Sequence, residues 1–152
     1  MYQNWGDEYS IEFDIVVKKL SNIEWINVFH FTGTNKDGPP YHLGIGNRIP
    51  ALFVHKDGFF HFTTSLNNNG NYPKNSNFVV GQTYHILIKQ SKHGSKYWYE
   101  IIINGKSILK KENKNAKSYP TVRFYNSDPW WESFTSEFGN VCNLKVQHTG
   151  MF

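Results

Sequence analysis

Only one cysteine, Cys142, occurs in the 152 residues, so no disulfide can close within the chain. Arginine is almost as scarce: Arg48 and Arg123 are the only two. Guanidinium groups make the planar, two-pronged contacts to phosphate that lysine cannot. With a formal net charge of only +4, that shortage argues against a nucleic-acid partner. Charged residues of either sign make up 18% of the chain. No apolar run is long enough to cross a bilayer. Residues Met1 to Gly6 do not form a secretory leader. The seven histidines are scattered, with no His-x-x-x-His or His-Glu-x-x-His spacing to suggest a zinc site.

Rings, by contrast, are abundant, at 17% of the residues. So much flat apolar area must be packed or used for binding. The length suits one domain with a sizeable core, residues 1–152. Its patterning is that of strands. Tyr9, Ile11, Phe13, Ile15 and Val17 alternate with Ser10, Glu12 and Asp14, which predicts a strand with one wet face. Trp25 to Thr32 is apolar on both faces, as in a strand covered from both sides. Asp57-Gly58 and Asn104-Gly105 each sit between two strand-like runs and predict tight hairpins. Further strands are expected at Tyr84 to Ile88, Thr121 to Tyr125 and Val141 to Gln147. Cys142 shares its phase with Leu144 and Val146 and is expected to face the core. No stretch has a helical period. The fold class is therefore all-β, with a two-sheet antiparallel sandwich expected.

Four connections read as long: Gly33 to Pro50, Leu66 to Asn77, Asn113 to Pro120 and Asn126 to Phe138. Long loops on a rigid scaffold commonly carry function. Asn126 to Glu132 holds Asn126, Asp128, Trp130, Trp131 and Glu132 within seven residues. A sugar presents an apolar C–H face and neighbouring hydroxyls, so rings beside carboxylates and amides suit it. Asn35, Asp37 and Arg48 in the first loop could add hydrogen bonds. Asp128, Glu132 and Asp37 could also supply oxygens to calcium, although their spacing fits no calcium-loop motif. The competing reading is structural: the tryptophans cap the sandwich, Asp128 closes an Asx-turn before Pro129, and Arg48 serves an ion pair.

Two other groups carry less. Glu12 and Asp14 share a strand face, but Val16 stands where a second catalytic carboxylate would be needed, so glycoside hydrolysis lacks its pair. The expectation is a binding protein and not an enzyme. Lys106, Lys110, Lys111, Lys114 and Lys117 follow or flank the Asn104-Gly105 hairpin. They could meet sulfated glycans, or simply protect a strand edge.

The C-terminal half adds a resemblance. Val80 to Ile86, the run Tyr99 to Gly105 ending in Asn104-Gly105, Val122 to Trp130, and Gly139 to Leu144 together resemble the concanavalin A-like superfamily, close to laminin G-like and lectin-like domains of secreted invertebrate proteins. Gly46 to Phe53 fits the same group. The resemblance implies a jelly roll, an extracellular location and glycan partners, with galactose-like or other neutral sugars held at the rim loops. A homo-oligomer is expected, because single sugar sites are weak and gain from multivalency. The alternative is a structural or adhesion module that binds protein or sulfated glycans through the lysine-rich edge. Laminin G domains often carry a C-terminal disulfide, for which Cys142 has no partner.

Overall fold

The computed structural model describes residues 1–151. Among them the chain forms two antiparallel sheets and only two short 3-10 turns, Tyr41–Leu43 and Thr149–Met151. The first sheet runs in the order β1 (Tyr2–Trp5), β10 (Tyr119–Asn126), β3 (Trp25–Thr32), β4 (Ala51–His55), β5 (Phe59–Leu66), β6 (Asn69–Asn77). A two-residue strand, β11 (Glu132–Ser133), pairs in parallel with β3. The second sheet runs β12 (Gly139–His148), β2 (Tyr9–Val17), β7 (Thr83–His93), β8 (Lys96–Ile103), β9 (Lys106–Glu112). Among the described residues, no helix is long and apolar enough to cross a membrane.

The alternation in β2 does what its period predicts. Tyr9, Ile11, Phe13, Ile15 and Val17 are all buried, while the residues between them are only half-buried. Opposite them, β3, β4 and β5 turn Phe29, Phe31, Leu52, Val54, Phe60 and Phe62 inward. The Phe13 and Phe29 rings meet edge to face across the sandwich at 5.1 Å. Removing one such fully buried ring costs about 3–5 kcal/mol. Both Asn-Gly and Asp-Gly hairpins form: Gly58 lies at φ 87°, and Asn104 and Gly105 at φ 50° and 78°.

Three features depart from the sequence reading. Leu66 to Asn77 is not a loop. Asn67 and Asn68 adopt φ 51° and 63°, which makes a tight turn between β5 and β6, and β6 continues to Asn77. Asparagine tolerates that left-handed conformation better than other non-glycine residues. Cys142 is exposed, not in the core. The β12–β2 register shifts between Cys142 and Lys145, with Asn143 at φ 57°. This bulge resets the alternation, so Val141 and Val146 pack on the core while Cys142 and Leu144 face solvent. The N-terminal strand β1 pairs with β10 and buries Trp5 against Tyr9 and Phe31.

Candidate functional site

β3 is buried along nearly its whole length because both of its faces are covered. The core covers one face. The loop following β3, together with the loop between β10 and β11, folds over the other. His30 is the residue around which they meet, and it is fully buried. Its Nδ1 lies 2.7 Å from Asp128 Oδ2, and its Nε2 lies 2.7 Å from the Asn47 carbonyl oxygen and 3.4 Å from Asp37 Oδ2. Both ring nitrogens thus face oxygen atoms of the two loops.

Asp37 is the second hub. Arg48 donates to it twice, from Nε at 2.7 Å and from Nη2 at 3.0 Å. Trp131 donates its indole Nε1–H to Asp37 Oδ1 at 3.0 Å, and the Gly38 backbone N–H donates to the same oxygen. Burial alone would push the Asp37 carboxyl up, but the paired Arg48 guanidinium outweighs it and holds the group below its ordinary value of 3.8. The Asp37 carboxylate therefore sits against the Arg48 guanidinium, which offsets the cost of removing its charge from water. Asp128 also accepts from the Trp130 and Trp131 backbone N–H groups at 3.0 and 2.9 Å. This is the Asx-turn anticipated as the structural reading.

Above this network lies a cavity of about 230 Å³ on the outer face of the first sheet. Trp25 and Trp131 line it, with Arg48, Phe53, His61, Asn71 and His42. The sheet's alternation explains its floor. Phe53 and His61 are outward-facing neighbours on β4 and β5, paired in register. Trp25 packs on His61 at 4.8 Å, and Phe53 meets Trp131 edge to face at 5.7 Å. Arg48 lies over the Phe53 ring at 4.9 Å and donates from Nη1 to Asn71 Oδ1 at 2.9 Å. Of the five N–H donors on a guanidinium, three are thus used inside the protein, and two remain. His61 Nδ1 contacts Asn75 Oδ1 at 2.6 Å, and burial lowers its pKa from 6.5. His42 Nδ1 is buried, and among the described residues it has no hydrogen-bond partner.

Of the residues singled out in sequence, Arg48 and Trp131 line this cavity. Asp37 and Asp128 lie beneath it and spend their oxygens on Arg48, His30 and backbone N–H groups. Trp130 packs on His30 and Tyr125, at 5.5 and 5.4 Å. Asn35 accepts from the Tyr125 hydroxyl. Asn126 and Glu132 are exposed at the ends of β10 and β11. Asp37, Asp128 and Glu132 do not gather as a calcium shell: among the described residues, no three His, Cys, Asp or Glu side chains are grouped to hold a metal ion. The carboxylates of Asp37 and Asp128 are drawn to Arg48 and His30 instead, and Glu132 is exposed. Sequence reasoning missed Trp25, Phe53, His61 and Asn71. The signal for Phe53 and His61 was present as polar or aromatic residues on the alternate phase of two core strands.

The other titratable clusters lie elsewhere. Glu12 and Asp14 occupy the outer face of the second sheet, where His85 contacts both, at 2.9 and 2.7 Å. Bonds to Asp14 first, then Glu12, raise the His85 pKa above 6.5. β9 is an edge strand, and its Lys106, Lys110 and Lys111 are exposed. Lys89 and Lys96 are instead paired with Glu100 and Glu112, at 3.5 and 3.6 Å.

The architecture is a two-sheet antiparallel β-sandwich. No protein-family model matches the sequence, and no curated protein matches it either. Solved structures with a similar fold include a native heptameric SAP-like pentraxin from Limulus polyphemus, with TM-score 0.57 and 16% identity over 95% of this chain and 65% of that one. An alginate lyase from Pseudomonas aeruginosa gives 0.55 and 16% over 97% of this chain and 68% of that one. A human galectin-16 variant gives 0.52 and 11% over 97% and 93%. The chain thus spans just under two thirds of the pentraxin's length. At these identities the likeness defines the fold, a two-sheet β-sandwich, and leaves function to the chemistry of the site.

Proposed function

We propose that the protein is a non-catalytic carbohydrate-binding protein that takes a neutral, galactose-like terminal sugar in the cavity between Trp25 and Trp131. The observation that carries this reading is that Trp131 and Arg48 face one cavity and are fixed by one carboxylate, Asp37. A pyranose needs a flat apolar wall and donors held at fixed angles. The two indoles supply the wall. The remaining Arg48 N–H groups, with Asn71 and His61, supply polar contacts, and the side chains are positioned before the ligand arrives. Preorganisation of this kind reduces the ordering cost of binding. The unpartnered His42 Nδ1 supports the same reading, because a buried polar atom left unsatisfied costs about 1–3 kcal/mol that a ligand hydroxyl would relieve.

Glu12 and Asp14, the carboxylates closest to a hydrolytic pattern, are clamped to His85 on the other sheet, which supports binding without turnover. Extracellular glycans as partners, and a homo-oligomer that multiplies weak single sites, are part of the same proposal.

A glycan array at low and high salt tests it. Terminal galactosides are expected to bind at both salt concentrations, since stacking and neutral hydrogen bonds are not screened. Trp131→Ala and Trp25→Ala should each weaken binding about tenfold, the equivalent of about 1.4 kcal/mol. Binding confined to sulfated glycans and lost at high salt would favour the β9 lysine edge instead. Binding of no glycan would favour a structural module.

A further inference from the structure

A larger cleft lies apart from the indole-lined cavity and shares none of its lining residues. It has a volume of about 400 Å³, within the range of about 300–1,000 Å³ usual for small-molecule sites. Its walls come from the β5–β6 turn, the segment joining β9 to β10, and Ile45 and Ile49 of the loop after β3. The floor is aromatic, with Trp5 and Tyr9 buried and Tyr119 half-buried.

We propose that this cleft is a second ligand site, for a sugar ring that carries one carboxylate or sulfate. Three features of the lining select that chemistry. Ile45, 43% exposed, gives an accessible apolar surface for a ring beside the half-buried Tyr119. The amides of Asn68 and Asn115 line the same space and, among the described residues, bond no protein group through their side chains, so they are available to hydroxyls. Among the described residues, the charges in the lining are cationic: Lys114 and Lys117 border it, and no aspartate or glutamate does. Lys117 is held over the Tyr119 ring at 5.3 Å, which places its ammonium beside the apolar wall.

The cleft is also built in a fixed shape. Asn113, buried, donates from Nδ2 to Gln90 Oε1 at 2.7 Å, and Gln90 donates in turn to the Asp7 carbonyl at 2.7 Å. Asn67 accepts from the Lys114 backbone N–H at 2.7 Å and donates to the Glu112 carbonyl at 2.8 Å. The loop bearing both lysines is thereby tied to the β5–β6 turn that bears Asn68. Positive charge and the Asn115 amide on one segment are thus held across one space from Asn68 in the β5–β6 turn.

The test is a backbone-amide NMR titration of the full chain with glucuronate and with galactose 6-sulfate, run beside galactose and inorganic sulfate. The anionic sugars should shift the amides of Asn67, Asn68, Asn115 and Lys117, whereas neither control should do so at the same concentration. A response to only one of the two supports the site and identifies the anion it takes. Lys114→Gln with Lys117→Gln should weaken the effect at least about tenfold, and Trp131→Ala should leave it unchanged, which separates this site from the galactoside site. Unmoved amides with both anionic sugars, or equal shifts with inorganic sulfate or with galactose, would overturn the proposal.

Discussion

Trp131 and Asp37 are 94 residues apart in sequence, yet the indole N–H of one donates to the carboxylate of the other at 3.0 Å. The same carboxylate clamps Arg48. One buried acid therefore fixes both an apolar wall and a polar contact of the proposed sugar site, and it joins the loop after β3 to the loop after β10.

Asp37→Asn should damage both. Breaking one partner of a buried ion pair leaves the other charge uncompensated, and the expected loss is about 3 kcal/mol, read by urea unfolding. The pH dependence has a defined sign. Since the folded carboxyl lies below 3.8, the unfolded chain takes the proton first. The contribution of Asp37 is complete above 3.8 and disappears as the pH falls through the folded value. The variant should therefore show a shallower acid loss of stability than the native chain in that range. Equal slopes would mean that Asp37 and Arg48 are not coupled.

Two histidines should titrate on opposite sides of 6.5. Burial lowers the His61 pKa; its bond to Asn75 opposes this, and the Arg48 guanidinium adds to the lowering. Protonating His61 thus weakens the fold as the pH falls below 6.5. The bonds to Asp14 and Glu12 raise the His85 pKa, so its contribution is present below 6.5 and lost as the pH rises through the folded value. Imidazole C–H shifts followed by NMR would show the two midpoints, and Asp14→Asn should lower that of His85. A His61 midpoint above 6.5 would contradict the first assignment, and a His85 midpoint below 6.5 the second.

Cys142 should react with a thiol reagent in the native protein at a rate close to that in denaturant, because the bulge turns it outward. Protection until unfolding would restore the core position that strict alternation suggests.

That contrast shows where the sequence was legible. The rule of two places side chains correctly as long as the ladder is regular, and it did so throughout β2 and at both glycine-containing hairpins. It fails at Asn143, where a left-handed residue inserts a step that no hydrophobic pattern announces. The Asn67-Asn68 turn is hidden for a similar reason: two asparagines at positive φ replace the expected glycine, so a strand of polar residues, β6, reads as loop. At the site, the two loops that converge were identifiable from their rings and amides. The partition among Asp37, Asp128 and Arg48 was not, because it depends on His30, a residue inside a strand that becomes a hub only when both loops fold over it. Trp25 and His61 reach the cavity through sheet pairing between distant segments, which no local motif encodes.

The most direct measurement is an NMR titration of the 15N-labelled protein with methyl β-galactoside, following the indole N–H resonances. The account predicts that those of Trp25 and Trp131 move together and saturably, while those of Trp5, buried in the core, and Trp98, on the second sheet, stay in place. Indole signals of Trp25 and Trp131 that remain fixed, or shifts confined to Trp98, would contradict it.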